Sequence, residues 1–160
     1  SLPPKSRRGH LGEVLSVLAN LQPEGTTDVA HSLTQMAAML RRASLVMVFS
    51  DLLAEPQAVI ESLFRLKHRG HDVIVFHILD EAEVRFPFQG LLELEEPESH
   101  QRLEVDAAGF RADYLQQLKE FRETYRRECF RAGIDYLPLD TSMRFDKALM
   151  EFLLRRRARA

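Results

Sequence analysis

Three aspartates stand at the ends of short apolar segments. Asp51 follows "LVMVFS", Asp80 ends "DVIVFHILD" and Asp140 ends "IDYLPLD". If these segments are parallel strands, their carboxyl ends meet at one end of the sheet, with neighbouring strands about 4.8 Å apart. Hard oxygen ligands there suit Mg²⁺, which takes one or two carboxylates and keeps several waters. The competing interpretation is that each aspartate only caps a helix or forms a turn.

The segments around the aspartates have the pattern of an α/β domain. The runs at 45–49 and 73–79 are apolar without alternation, which is typical of parallel strands covered on both faces. Helical spacing follows over 54–71, with Pro56 in the first turn and Gly70 as a stop. A long helix over 110–133, a third strand near 134–138 and a final helix come next. This order predicts an open, mostly parallel sheet with helices on both faces.

The remaining segments are predicted to be a linker, two helices and a hairpin. Residues 1–9 hold two prolines and no apolar periodicity, so we expect a linker, with the domain spanning 10–160. Leucines recur at helical spacing over 10–21, and a second helix over 28–43 has Asp28 in its first turn. Between 85 and 106, two short apolar runs flank an acidic turn, which favours a β-hairpin.

Composition excludes several classes of protein. The 160 residues are 45% hydrophobic and 29% charged, with a net charge of -2, which does not favour nucleic acid or anionic membranes. Cys129 is the single cysteine, so no internal disulfide forms. There is no signal peptide and no apolar stretch long enough to span a bilayer, so we expect a soluble cytoplasmic domain. The nucleotide-binding and hydrolase motifs G-x-G-x-x-G, Walker A and G-x-S-x-G do not occur.

Other polar residues are better explained without a site. His68 and His71 have a spacing seen in zinc sites but no second pair of ligands nearby in sequence. His77 lies mid-strand, where we expect it to pack or to bond a neighbour, and Cys129 lacks the partners of a thiol nucleophile. The terminal "RRRARA" is typical of a frayed, charged end. The acidic group, a solvated turn or else a partner-recognition patch, comprises Glu93, Glu95, Glu96 and Glu98.

Two longer patterns resemble a known family. "LQPEGTTDVAHSL", followed about twenty residues later by "LVMVFSDLL", resembles the middle of a von Willebrand factor A domain. More closely, "VFSDLL", "RGHDVIVFHILDEAEVRFPF", the "DYL…F" helix, "GIDYLPLDT" and "ALMEFLLRR" together resemble the C-terminal half of the DUF58 family. The resemblance covers nearly the whole chain and implies a Rossmann-type, von Willebrand A-like fold.

The resemblance also implies a metal-ion-dependent adhesion site. In the A-domain pattern, this site uses D-x-S-x-S on the first strand, a threonine and a later aspartate. Thr27 of "GTTD" matches the threonine better than Thr26, and Asp51 matches the aspartate. No D-x-S-x-S occurs, so we expect the chain to begin inside the domain, without its N-terminal strands. Mg²⁺ would then bind the complete domain but bind this chain weakly or not at all. Supporting ligands would be Ser50, Asp80 and Asp140.

Two functions remain open at this point. The resemblance implies a non-enzymatic protein-interaction module whose cation bridges to a partner, working with a MoxR-type AAA+ ATPase in assembling complexes. The alternative is a Mg²⁺-dependent phosphatase or hydrolase using Asp51 and Asp80. Such chemistry needs a D-x-D or an adjacent acidic pair with a lysine, and "FSDLLA" supplies none of these.

The missing first strand has a structural consequence. In the A-domain order it would lie beside 45–49, so its absence leaves an apolar edge with unpaired backbone groups. Neither proline nor charge interrupts those five residues. We therefore expect self-association, as a two-fold dimer through this edge or by exchange of N-terminal helices.

Overall fold

The computed structural model describes residues 2, 7, 9–22, 28–95 and 101–157. The helices in these ranges are α1 (Gly9–Ala19), α2 (Val29–Met39), α3 (Pro56–His68), α4 (Glu81–Arg85), α5 (Ala107–Arg131) and α6 (Phe145–Arg157). The strands are β1 (Leu45–Ser50), β2 (Asp72–Leu79), β3 (Leu91–Glu95), β4 (Arg102–Asp106) and β5 (Asp135–Asp140). None of the described helices is long and apolar enough to cross a membrane.

The strands form two separate sheets. β1, β2 and β5 make a parallel sheet in the order β1-β2-β5, with Leu45 opposite Asp72 and Ile74 opposite Asp135. β3 and β4 form an antiparallel pair of their own. The predicted α/β class, with its parallel strands and short hairpin, is therefore confirmed.

Helices cover both faces of the parallel sheet, as predicted. On one face, Val46, Val48, Val73 and Val75 belong to a core shared with α2, α3 and α5. On the other face a smaller core is closed by Phe152 of α6. Its buried strand residues are Ile74, Phe76 and Leu137. Successive side chains of a strand point to opposite faces, so β2 supplies both cores from consecutive residues.

β1 departs from the expectation that it is covered on both faces. Val46 and Val48 are buried, but Leu45, Met47 and Phe49 are 55%, 53% and 55% exposed. The second face is covered where α6 packs on β2 and β5, and among the described residues β1 pairs only with β2. The unbroken apolar run therefore marks an edge strand whose exposed positions are themselves apolar.

Local capping explains where the helices begin and end. Gly70 (φ 83°) and Gly133 (φ 65°) take left-handed conformations that end α3 and α5, because glycine has no Cβ to clash there. α5 begins three residues before its predicted start, since Asp106 accepts a hydrogen bond from the Gly109 N–H. α2 ends at Met39, short of the predicted 43, because Leu40 is already extended. The five-residue α4 was not predicted.

α1 stands apart from both cores. It has no buried residue, and its leucines are largely exposed. Its helical periodicity is as predicted, but its apolar face has no covering partner among the described residues. The linker predicted for 1–9 lies mostly outside them and stays a prediction.

Phe152 should contribute much of the stabilisation that holds α6 against the parallel sheet. Phe152→Ala removes a side chain that is 8% exposed in the smaller core and should lower the free energy of unfolding by about 3 kcal/mol. Urea denaturation measures this. Phe145→Ala, on the same helix but 55% exposed, is the matched control and should cost about 0.5 kcal/mol or less. Equal losses in the two variants would contradict the assignment of Phe152 to this core.

Candidate functional site

The three aspartates lie at the carboxyl end of the parallel sheet. Ser50 is opposite His77 and Asp140 is opposite Leu79. Asp51 is thus level with Ile78, two residues before Asp80, which is about 7 Å along the strand. The register therefore places all three strand ends at one end of the sheet, as their spacing predicts.

Asp80 is committed to a helix cap. Its Oδ1 accepts a hydrogen bond from the Ala82 N–H at 2.8 Å, and its Oδ2 accepts one from the Thr141 hydroxyl at 3.1 Å. Its own N–H donates to Glu83 Oε2 at 2.8 Å, which completes a capping box at the start of α4. Both carboxylate oxygens of Asp80 therefore have local partners.

Asp140 forms a turn. Its Oδ1 accepts hydrogen bonds from the Ser142 hydroxyl and, at 2.9 Å, from the Ser142 N–H. The Ser142 hydroxyl is the main cause of a pKa for Asp140 below its usual value, because it stabilises the charged form. For Asp80 and Asp140 the contacts thus match the cap-or-turn interpretation, and their supporting role in metal binding stays a prediction.

Asp51 differs from Asp80 because it caps no helix. Glu55 caps α3 instead, by accepting a hydrogen bond from the Ala58 N–H at 2.8 Å. Asp51 is exposed, and its Oδ1 accepts from the Leu53 N–H at 3.2 Å and from the Ser50 hydroxyl at 3.4 Å. Its Oδ2 has no hydrogen-bond partner among the described residues. Asp51 is therefore a strand-end carboxylate that keeps an oxygen available for a ligand, unlike Asp80.

A strained turn fixes the backbone after Asp51. Leu52 is left-handed (φ 57°) although it is fully buried, and this conformation costs a non-glycine residue on the order of 1–2 kcal/mol. Its carbonyl accepts hydrogen bonds from the Ala54 N–H at 2.8 Å and from the Tyr125 hydroxyl at 3.4 Å. Its N–H donates to Ser50 Oγ at 3.0 Å. The buried side chain of Leu52 and the hydrogen bonds of its N–H and carbonyl therefore fix the backbone conformation directly after Asp51.

A buried histidine lies beneath this turn. His77 is on β2 opposite Ser50, and its Nδ1 is 2.5 Å from the Tyr136 hydroxyl. The Phe121 and Tyr125 rings contact the imidazole edge to face, and Nε2 is buried without a hydrogen bond of standard geometry among the described residues. Burial lowers the pKa of His77 to about 4, although the neighbouring Asp51 opposes the shift. The imidazole is therefore neutral at neutral pH.

Several predicted site residues lie outside the described residues or apart from this site. Thr26 and Thr27 fall in the undescribed 23–27, so the match of Thr27 to the adhesion-site threonine stays a prediction. The described residues contain no group of three or more His, Cys, Asp or Glu side chains placed to hold a metal ion. His71 is buried immediately before β2, whereas His68 is exposed at the end of α3.

The remaining polar candidates behave as structural groups. Glu93 and Glu95 both pair with Arg102 across the hairpin, at 2.8 Å and 3.0 Å, while Glu96 and Glu98 lie outside the described residues. Burial raises the pKa of the Cys129 thiol to about 12, which suppresses the thiolate.

Sequence reasoning missed the turn at Leu52 and the role of Tyr125. A glycine or asparagine at position 52 would have indicated a left-handed backbone conformation, but leucine has no preference for that conformation. His77 was expected to bond a neighbour, and Tyr136 is that neighbour.

Comparison with known proteins gives one match. A family model described as "Protein of unknown function DUF58" matches residues 1–124. No curated protein and no solved structure matches this chain. The family's description assigns no activity.

His77 should make the fold sensitive to acid. Its folded-state pKa lies below the unfolded value of about 6.5, so the unfolded chain takes up the proton first as pH falls. The stability that depends on neutral His77 is present above pH 6.5 and is lost between about 6.5 and 4, to a total on the order of 3 kcal/mol. Urea denaturation at a series of pH values across this window measures the loss.

A variant without an ionisable side chain isolates this contribution. His77→Gln should reduce the loss of stability between neutral and acid pH, whatever its own stability at neutral pH. The exposed His68→Gln should leave that loss unchanged. If the free energy of unfolding falls by the same amount at acid pH in the wild-type protein and in His77→Gln, groups other than His77 cause the fall.

Proposed function

The chain belongs to the DUF58 family of unknown function, and we propose that it is a non-enzymatic module that binds a protein partner through a cation at Asp51. The observation that carries this proposal is the state of Asp51. It is exposed at the carboxyl end of the sheet, caps no helix and keeps Oδ2 without a hydrogen-bond partner among the described residues. Ligands bind at this end of open parallel sheets.

The donor groups around Asp51 fit a loosely held Mg²⁺. Asp51 would contribute a carboxylate oxygen, and Ser50 a hydroxyl oxygen with one lone pair beyond the hydrogen bond it accepts from Leu52. Thr27 would add a second hydroxyl by its match to the family pattern. Because the protein supplies so few oxygens, several coordination positions of the cation remain for water or for a partner. This is the usual state of protein-bound Mg²⁺.

Binding to a partner follows from those open positions. When bound, the cation supplies a positive charge that a carboxylate of the partner can coordinate. The chain's own contribution is to hold the Asp51 carboxylate in place, because the Leu53 N–H and the Ser50 hydroxyl both donate to Oδ1. The buried, strained Leu52 anchors the same turn to the core. Preorganisation of this kind reduces the entropy lost on binding.

The proposed partner is a MoxR-type AAA+ ATPase, in the assembly or activation of other complexes. This choice rests on the resemblance to the DUF58 family and not on a contact surface. The geometry of Asp51 supports a metal-bridged carboxylate contact with any partner that presents an acidic side chain.

The phosphatase or hydrolase alternative has no observation in its favour among the described residues. It would need Asp80 as a second carboxylate, but both oxygens of Asp80 accept local hydrogen bonds. A screen with generic aryl phosphates in Mg²⁺ tests it directly. Turnover that disappears in Asp51→Ala would replace the binding proposal with an enzymatic one.

Asp51 should control the affinity for the partner. In binding measurements against a MoxR-type ATPase, Asp51→Ala or chelation of Mg²⁺ should each weaken binding by about tenfold or more, because the bridging ligand is lost. The two treatments together should have no more effect than either alone. Asp113→Ala removes an exposed carboxylate on α5 and is the matched control, with unchanged affinity expected.

Calorimetry without the partner tests the metal part separately. We expect weak or undetectable Mg²⁺ binding by this chain, because few protein oxygens are available. Micromolar affinity abolished by Asp51→Ala would show that the chain holds the cation unaided. Partner binding that survives both chelation and Asp51→Ala would contradict the proposed function.

A further inference from the structure

A groove between Val84 of α4 and residues 115–126 of α5 carries a surplus of positive charge. Its cationic side chains come from successive turns of α5. They are Lys119, Arg122 and Arg126. The described lining of this α4–α5 groove contains one carboxylate, that of Glu123. The chain as a whole has a net charge of -2, so the groove is opposite in sign to the protein that carries it. A local field of this kind attracts a partner of the opposite charge.

Two of the three cations have no counter-charge. The Arg126 guanidinium lies 3.5 Å from the Glu123 carboxylate, so these two charges offset each other. Lys119 and Arg122 pair with no carboxylate among the described residues. They are three residues apart on one helix, where side chains are neighbours about 5–6 Å apart and like charges repel. An anion bound between them would therefore relieve a repulsion that is present in the unbound chain.

Arg122 is the more buried of the two unpaired cations. Its side chain is half-buried, whereas Lys119 is exposed. Burial is the main cause of the raised pKa of Tyr136, and the charge of Arg122 opposes that rise, so the guanidinium lies near the Tyr136 hydroxyl. That hydroxyl is also hydrogen-bonded to His77 Nδ1. Because Arg122 is partly removed from water, its attraction for an anion is screened less than that of a fully exposed cation.

The groove also has an apolar lining. Val84, Leu115 and Leu118 contribute to it, are half-buried and belong to neither of the described cores. The cavity has a volume of about 280 Å³, below the roughly 300–1,000 Å³ of sites that enclose a small molecule. It has room for one or two side chains but not for a whole nucleotide. Apolar surface beside unpaired cations therefore fits a protein segment that combines apolar and acidic side chains.

We propose that the α4–α5 groove binds an acidic segment of a protein partner, in which two carboxylates pair with Lys119 and Arg122 and an apolar side chain packs on the leucines beside them. In an extended segment, alternate side chains lie on the same side about 6.5 Å apart, close to the spacing of two cations one helical turn apart. Nucleic acid suits the groove less, because the net negative charge of the chain repels phosphates. Neither Asp51 nor a bound cation takes part, so the groove and the proposed function can be tested separately.

A labelled acidic peptide tests the groove directly. The probe is three repeats of Glu-Glu-Leu, and fluorescence anisotropy at low salt measures its affinity for the chain. Lys119→Glu should raise the dissociation constant by about tenfold or more, because a repulsion replaces an attraction. Lys147→Glu, on α6, makes the same change of net charge at an exposed lysine outside the groove and should bind as wild type does. Absence of binding by the wild-type chain, or an equal effect of the two substitutions, overturns the proposal.

Substitutions at Arg122 separate its charge from its packing. Arg122→Gln should weaken peptide binding, and Arg122→Lys should restore most of the affinity because it keeps the positive charge. If both variants are impaired equally, the guanidinium has only a structural role and the assignment of Arg122 is overturned. Asp51→Ala should leave peptide binding unchanged, and a loss of binding in that variant overturns the separation of the groove from the Asp51 site.

Changes to the probe test the kind of ligand. Replacing each leucine of the peptide with serine should weaken binding by about fivefold or more, because the apolar contact is lost. Replacing each glutamate with lysine should abolish binding. If inorganic phosphate displaces the acidic peptide at an equal concentration, the groove is a site for small anions and the assignment of a protein segment is overturned. Tighter binding of a DNA oligonucleotide than of the peptide, lost in Lys119→Glu, overturns it as well.

Discussion

The fold depends on burying β2 from every side. β2 is hydrogen-bonded to β1 and to β5, and its consecutive residues Val73 to Phe76 alternate between the two cores with no more than 3% exposure. A parallel strand in this position needs helices on both faces, and the chain supplies α3 and α5 to one face and α6 to the other. The register that β2 imposes on its neighbours also sets the level of Asp51 and Asp140 at the carboxyl end of the sheet.

The same strand brings a polar group into the core. His77 is 1% exposed, and a buried imidazole without a partner would be costly. Tyr136 on the neighbouring strand provides a partner for Nδ1, and the ring of Tyr125 packs against the imidazole. Tyr125 also donates its hydroxyl hydrogen bond to the Leu52 carbonyl. One residue of α5 therefore contacts both the buried histidine and the turn after Asp51, so the candidate site rests on the core and not on a free loop.

The sequence predicts most of the fold because its signals are local. Gly70 and Gly133 mark helix ends through conformations that other residues avoid, and the long apolar run of β2 marks burial on both faces. The same kind of run in β1 is misleading. An apolar residue type does not show whether a helix covers that position. Exposure depends on where the helices pack, and among the described residues α6 packs on β2 and β5 and not on β1. The five-residue α4 is too short to show a helical period.

The site could be predicted only as a set of three carboxylates. Asp51 and Asp80 each follow a strand and Asp140 ends one, and each accepts a hydrogen bond from the N–H two residues later. What separates Asp51 from Asp80 is the distance to the next helix. α4 begins directly after Asp80, which must therefore cap it, whereas four residues separate Asp51 from Pro56 and Glu55 takes over the cap. The spacer that lets the strained Leu52 turn form is thus the same feature that leaves a carboxylate oxygen of Asp51 available.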